Sequence, residues 1–304
     1  MATKKAKEYA KKLKKSRQES QKMKDYFGLM PLSVLRGIPK SFFHDKLFYF
    51  QNNGQNSNLS AQEKRVDELS SIGLTKKEII SLRTTKLGCG RGKPGLSIMP
   101  PNIVEFFIKY YCHPGGLYFD PFAGQGIQMQ VAKILGVDYI GYDISKKFMA
   151  FNNSVKEKIN DGKTKIELFN RDSRKIHLPE NSVDFCFTSP PYWNIEDYGD
   201  EPEQLGKNTY DGFLAGMGQI AKELYRVFKP GCYCVINVND FRMNGKFYNY
   251  HGDTIELFTR AGWEHHDIWI LETGIAGLPR IFARDFNNKK ISPKIHEYAL
   301  VFKK

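Results

Sequence analysis

From Pro100 to the C-terminus, short apolar runs alternate with longer stretches of helical apolar period, and this alternation narrows the fold more than any other feature of the chain. Pro101 suits the first turn of a helix over Asn102–Cys112. Strands are expected at 117–119, 138–142, 166–170, 184–187, 232–238, 266–271 and 297–302. Helices are expected between most of them, at 127–135, 145–160, 210–228 and 253–261, the third ended by Lys229-Pro230-Gly231. Strands separated by helices of this length pair in parallel. No helical stretch separates the last two strands, so the reading is a mostly parallel α/β sheet with an antiparallel last strand.

Two strand ends stand out chemically. The run Ser182-Val183-Asp184-Phe185-Cys186-Phe187 reads as a buried strand, and Thr188-Ser189-Pro190-Pro191-Tyr192-Trp193 follows it. Two successive prolines stop a sheet and remove two N–H donors. What is left is a stiff turn offering carbonyl acceptors, the Ser189 hydroxyl and the Tyr192 ring. That set suits a flat ring bearing an exocyclic amine: acceptors for the amine hydrogens, an aromatic face for the ring. Taken alone, the same residues also fit a plain strand end with core aromatics.

The other strand end is Asp120-Pro121-Phe122-Ala123-Gly124-Gln125-Gly126, a glycine-containing turn opening a helix, with Asp143 closing the next strand. Small residues there let a ligand lie against backbone and helix N-terminus, and an acid at the second strand end can hold both hydroxyls of a ribose. This half of the pattern fits a dinucleotide dehydrogenase equally well. In an open α/β sheet ligands sit beyond the carboxyl ends of the strands where strand order reverses. A nucleoside-bearing cofactor and an amine are therefore expected on one rim.

With these residues in view, the chain resembles amino-group DNA methyltransferases that use S-adenosylmethionine. The matching stretches are Asp120–Gly126, Asp143, Asp172, Thr188-Ser189-Pro190-Pro191-Tyr192, Lys229-Pro230-Gly231 and His296-Glu297-Tyr298. The resemblance covers about 97–304 and implies a Rossmann-like methyltransferase fold with a seven-stranded sheet. It leaves 1–96 as an N-terminal extension. It implies cofactor contacts from Asp120, Pro121, Phe122, Ala123, Gly124, Gly126, Asp143, Ile144, Asp172, Ser173, Ser189 and the Pro101 segment. It assigns catalysis to Ser189, Pro190, Pro191 and Tyr192, with Tyr192 and Trp193 facing a flipped base. Ser-Pro-Pro-Tyr is the commoner form in cytosine-N4 enzymes, so N4 of cytosine is the expected target and N6 of adenine the alternative. The implied partner is double-stranded DNA, with a cognate restriction endonuclease as a second. A cytosine-C5 enzyme needs a thiolate nucleophile, and no cysteine here follows a proline.

Charge agrees with a polyanionic partner. The formal net charge is +13 over 304 residues, and residues 1–25 carry ten Lys/Arg against three acids, a net +7. Arg280 and Arg284 sit among Phe282, Phe286 and three lysines between 273 and 294, a mixture suited to phosphates and bases. The glycine-rich, basic stretch 84–95 lacks the GxxxxGK[ST] pattern of a nucleotide loop and reads as a linker or phosphate contact. No apolar run of 18 residues and no leader pattern appear, and the five cysteines form no CxxC pair. These features suit a cytoplasmic protein, nucleoid-associated through DNA, with reduced thiols and no metal centre. His251, His265 and His266 read as surface or strand residues. An RNA methyltransferase and a catalytically silent nucleic-acid-binding module remain the rival readings.

Overall fold

The structure, a computed structural model, describes residues 34–35, 99–160, 162–195, 201–272, 290–291 and 296–304. The basic arm 1–25, the stretch 84–95 and the segment holding Arg280 and Arg284 lie outside the described residues.

The elements in chain order are β1 (Val34–Leu35), α1 (Pro101–Tyr111), β2 (Leu117–Asp120), α2 (Ile127–Leu135), β3 (Asp138–Asp143), α3 (Lys146–Ile159) and β4 (Ile166–Asn170). Then come β5 (Val183–Thr188), α4 (Tyr210–Val227), β6 (Phe228–Val238), β7 (Phe241–Met243), β8 (Lys246–Tyr248), α5 (Tyr250–Arg260), β9 (Glu264–Glu272) and β10 (His296–Lys303). The main sheet runs β1-β9-β10-β6-β5-β2-β3-β4. Every pairing in it is parallel except those of β10, which lies antiparallel to both β9 and β6. This is the expected seven-stranded sheet with its antiparallel last strand, plus an addition from the N-terminal extension: Val34–Leu35 pairs with Ile270 and Leu271 at the free edge of β9.

Both faces are covered, as a parallel sheet requires. The period of two sorts the strand residues. Tyr118, Phe185, Phe187, Val235 and Val301 pack under α1 and α2. Phe119, Cys186, Ile236, Leu300 and Phe302 pack under α4 and α5 on the other side. All six residues of β5 are buried. Because β2 leads outward to β3 and β4 while β5 leads the other way to β6, strand order reverses between β2 and β5. The loops after these two strands must diverge there, leaving a crevice.

Two local expectations differ. Lys229-Pro230-Gly231 follows the end of α4 at Val227 but also lies inside β6, which starts at Phe228. Gly231 adopts φ +81°, and its N–H donates to the Lys304 carbonyl. The stretch is a bulge tied to the end of β10: proline can sit there because a bulge leaves the ladder incomplete. The second difference is the hairpin β7–β8, with Asn244-Gly245 as its two-residue turn.

At the rim opposite the crevice, one carboxylate fastens several elements. Asp184 of β5, 2% exposed, accepts the Leu117 N–H at 2.8 Å and the Lys229 ammonium at 2.8 and 2.9 Å, and lies 2.8 Å from His113 Nε2. Burial alone would raise its pKa, but the bonds from Lys229, Leu117 and His113 prevail and hold it below the usual carboxylate value. A lowered acid stabilises the fold above its unfolded pKa and loses that contribution as pH falls through the native value. Asp184→Ala strands Lys229 and the Leu117 N–H. We expect a loss of roughly 2–4 kcal/mol at neutral pH, read from urea midpoints, and a shallower acid limb of stability than in the wild type.

Candidate active site

The crevice at the β2/β5 reversal is a cavity of about 530 Å³, within the size range of small-molecule sites. Its walls come from the C-terminal ends of β2, β3, β4 and β5, the N-terminal end of α1, and the ends of β6, β9 and β10 that face the same rim.

The first wall is the loop after β2. Gly126 caps α2 in the left-handed region, φ +73°, and an added Cβ would fall 2.4 Å from Asn152 Oδ1. Asn152, fully buried on α3, donates from Nδ2 to the Gly124 carbonyl at 3.0 Å. The Gly124 N–H donates to Asp143 Oδ2 at 2.8 Å, and the Ser145 N–H to Asp143 Oδ1 at 2.8 Å. One carboxylate thus joins this loop to the end of β3. Burial lifts its pKa to about 6 against the pull of those N–H groups. Each oxygen has accepted one backbone donor and can accept more. Asp143 and Ile144 line the cavity with Phe122 and Phe148, so an acceptor pair lies among apolar side chains.

After β4, Asp172 and Ser173 also line the cavity. Asp172 accepts from the Arg174 backbone N–H at 2.9 Å and from the Arg174 guanidinium at 2.8 and 2.5 Å. Ser173 Oγ donates to the Pro121 carbonyl at 2.7 Å, bracing the first loop.

The turn after β5 forms the facing wall. Ser189, Pro190, Pro191 and Tyr192 all line the cavity. Ser189 Oγ donates to the Asn237 carbonyl at 3.3 Å, which leaves its lone pairs to accept. Behind it, Asn237 Nδ2 donates to Glu297 Oε2 at 2.6 Å, and both residues line the cavity. Burial raises the Glu297 pKa while the Asn237 contact opposes it.

The residues expected to meet the cofactor and the base therefore divide. Pro121, Phe122, Ala123, Gly124, Asp143, Ile144, Asp172, Ser173 and the Ser189–Tyr192 turn share one cavity. Pro101, Asp120, Gly126 and Trp193 stand behind its walls. Pro101 is the buried first residue of α1, with its neighbours Pro100 and Ile103 on the lining. Asp120 is fully buried between the two loops: Oδ1 accepts from Thr188 Oγ1 at 2.7 Å and the Phe122 N–H at 3.1 Å, and Oδ2 from the Tyr139 hydroxyl at 3.0 Å. Trp193 turns away, at φ 42°, into an aromatic group with Tyr210, Phe241 and Tyr248, and its indole N–H donates to the Asn208 carbonyl at 2.8 Å. His251 meets Asp240 at 2.7 Å and stacks on Tyr298, while His265 and His266 lie in β9.

Sequence reasoning passed over Asn152, Asn237 and the wall-forming role of Glu297. A buried asparagine on the apolar face of α3 was the available signal for the first.

Comparison with known proteins places the chain in a family. The pattern of the DNA methylase family of N6 and N4 enzymes matches residues 1–154 and 183–304, so the match begins within the N-terminal extension. The type II methyltransferase M.SfiI of Streptomyces fimbriatus is 35% identical over 68 residues, 22% of this chain and 16% of that enzyme. Among solved structures, TrmN of Thermus thermophilus aligns at TM-score 0.46 and 15% identity, over 68% of this chain and 49% of that one. A second Thermus thermophilus protein, assigned as a DNA modification methylase, aligns at TM-score 0.33 and 25% identity, over 44% of this chain and 50% of that one. The chain thus spans half or less of the length of each. Among the described residues, no helix is long and apolar enough to cross a membrane.

Asp120 offers a test of the wall-to-wall latch. Burial raises its pKa to about 6, opposed by the Thr188, Phe122 and Tyr139 donors. A raised acid contributes stability in full below its unfolded pKa and loses it as pH rises through the native value. Thr188→Val keeps the shape and removes one donor to the ionised form. We expect a loss of about 1–2 kcal/mol at a pH near 7.5 and a smaller one near 5, measured by thermal melting.

Proposed function

The chain belongs to the DNA methylase family of N6 and N4 enzymes, and from that premise we propose that it transfers a methyl group from S-adenosylmethionine to the exocyclic N4 amine of cytosine in DNA. The observation that carries this reading is a shared cavity. The Gly124–Asp143 wall and the Ser189–Tyr192 turn face one space at the reversal of strand order.

The residues present fit the cofactor. Asp143, with spare lone pairs on both oxygens, would accept the two ribose hydroxyls. Phe122, Ile144 and Phe148 supply the apolar surface that a purine ring needs, and Asp172 and Ser173 the polar edge beside it. The bound cofactor supplies a methyl group on a sulfonium, already a good leaving group.

The rest of the chemistry falls to the turn. The lone pair of an aromatic amine is delocalised into its ring and is a poor nucleophile. Ser189 Oγ and the Pro190 carbonyl accept the amine hydrogens and draw the nitrogen toward tetrahedral geometry, which localises the lone pair. Ser189 is already donating to the Asn237 carbonyl, so the orbitals it turns to the amine are acceptors. Positioning, with little acid–base work, carries the rate. The amine leaves its proton to solvent or to the turn after the methyl has moved. Tyr192 stacks on a base rotated out of the duplex, a step that costs a few kcal/mol and is offset by binding. Residues 97–304 hold this machinery, and 1–96 extend it with Val34–Leu35 on the sheet and the basic arm toward DNA. Arg280 and Arg284 join the DNA contacts in this reading. A cognate endonuclease is the natural companion of a type II enzyme.

Expression in cells lacking DNA methylation, followed by sequencing for modified bases, tests the reading. N4-methylcytosine at one recurring site is the expected result. N6-methyladenine would instead establish the other amine as target. Bound cofactor with unmodified DNA and unmodified RNA would leave a silent binding module. For the catalytic turn, Ser189→Ala should lower kcat by about 10²-fold, in the range seen for loss of one preorganised polar group. Cofactor affinity by calorimetry should stay within about twofold, less than roughly 0.5 kcal/mol. Wild-type turnover in that variant would remove Ser189 from the mechanism.

A further inference from the structure

The hairpin β7–β8 carries a surface that the catalytic walls do not use. Its turn, Asn244-Gly245, has φ +51° and +81°, the two positive values of a tight two-residue hairpin loop. The register pairs Phe241 with Tyr248, Arg242 with Phe247 and Met243 with Lys246. Successive residues point to opposite faces, so the hairpin has an inner and an outer side.

The inner side holds it in place. A two-stranded hairpin alone is marginal in water. Here Phe241 and Tyr248 stack on each other at 5.2 Å, and both pack against Trp193 and Tyr210. Trp193 directly follows Tyr192 of the catalytic turn, and the hairpin begins just beyond Val238, the end of β6. It therefore stands next to the Ser189–Tyr192 turn and shares an aromatic mounting with it.

The outer side differs from an ordinary protein surface. Phe247 is 40% exposed, one of two large apolar side chains in that state among the described residues. The Arg242 guanidinium lies 5.1 Å above its ring, while Lys246, beside the turn and by register on the side of Tyr248, has its ammonium 5.0 Å from the Tyr248 ring. Arg242 and Lys246 are both exposed. Residues 241–248 contain no acid, and Asp240 at the base is buried against His251. A lone exposed phenylalanine is ordinary on a surface. An exposed phenylalanine with a guanidinium over its ring and a second exposed cation beside it in sequence, on a stiff hairpin next to the Ser189–Tyr192 turn, is a combination of charge and ring suited to a nucleic-acid backbone and its bases.

We propose that the β7–β8 hairpin is a DNA contact. Arg242 and Lys246 meet backbone phosphates flanking the target nucleotide, and Phe247 packs on a sugar or base face next to the place it vacates. This rests on the DNA reading above and adds to it an element that no motif of the catalytic domain marks.

The full chain and a fluorescent duplex, titrated by anisotropy over a salt series, test it. Each phosphate contact contributes about 0.9 to the slope of log K against log salt. Arg242→Gln/Lys246→Gln should weaken duplex binding by about tenfold or more at roughly 100 mM salt and lower the slope by roughly two. Phe247→Ala should weaken binding with the slope kept. In methylation assays all three substitutions should raise KM for DNA, and cofactor affinity and melting temperature should hold, since all three side chains are exposed. Unchanged affinity and slope in variants of a DNA-binding wild type overturn the hairpin proposal alone. A wild type that binds no duplex at any salt overturns it together with the DNA reading, and the two outcomes are told apart by the wild-type titration itself.

Discussion

The Asp120 carboxylate, sealed between β2 and β5, is the contact on which the site depends. Where strand order reverses, two loops leave the sheet in opposite directions and nothing in the strand ladder fixes one against the other. Asp120 does so by accepting from Phe122 on the first loop and from Thr188, the last residue of β5 before the second, with Tyr139 holding its second oxygen. An isolated buried carboxylate is costly, and three donors are what make it tolerable. Backbone bonds could not substitute, because the two loops run apart. In the proposed reading the consequence is functional: the wall assigned to the nucleoside and the turn assigned to the amine are held together, which would set the distance between the reacting groups before either ligand arrives.

The two rims of the sheet are electrostatic opposites. On the cavity side, burial raises Asp120 and Asp143 to about 6, so both carry a cost at neutral pH. On the far side Asp184 is held low by Lys229, a backbone N–H and His113, and stabilises the fold in the same pH range. Site geometry that is strained in charge is compatible with a stable domain when compensation lies elsewhere on the same strand. Here β5 carries both: Asp184 at its start and Thr188 at its end.

What could be read in the sequence followed locality. Strand and helix periods were legible because each is repeated over many residues, and burial on both sheet faces makes the strands uniformly apolar. The cavity walls were legible as Asp120–Gly126, Asp143 and Ser189–Tyr192, since proline pairs, glycine turns and strand-end acids act on their own neighbourhoods. Asp120 shows the limit: its position was evident, its partner Thr188, 68 residues on, was not. Asn152 bracing Gly124, and Asn237 joined to Glu297, are likewise contacts across the fold; an asparagine on the apolar face of α3 hinted at the first residue but not at its partner. The hairpin had a local signal in Asn244-Gly245, and the strands on either side were too short to draw attention. The Lys229-Pro230-Gly231 stop was read correctly as a helix end, but the bulge depended on β10 lying alongside.

The physics of the Ser189–Tyr192 turn permits either amine, and the preference for N4 of cytosine rests on the resemblance of its Ser-Pro-Pro-Tyr form. Its hydroxyl and proline carbonyl address an exocyclic amine, and both bases present one beside a ring nitrogen; its tyrosine offers a face that any base can stack on. In the proposed reading, physical discrimination would fall to groups that meet the ring beyond the amine. Behind the turn the cavity is lined by Asn237 and Glu297, one an amide whose buried oxygen has no hydrogen-bond partner among the described residues, the other an acid whose pKa burial raises. In the proposed reading the turn meets the amine, and the polar ends of β6 and β10 stand behind it where the rest of the ring would lie.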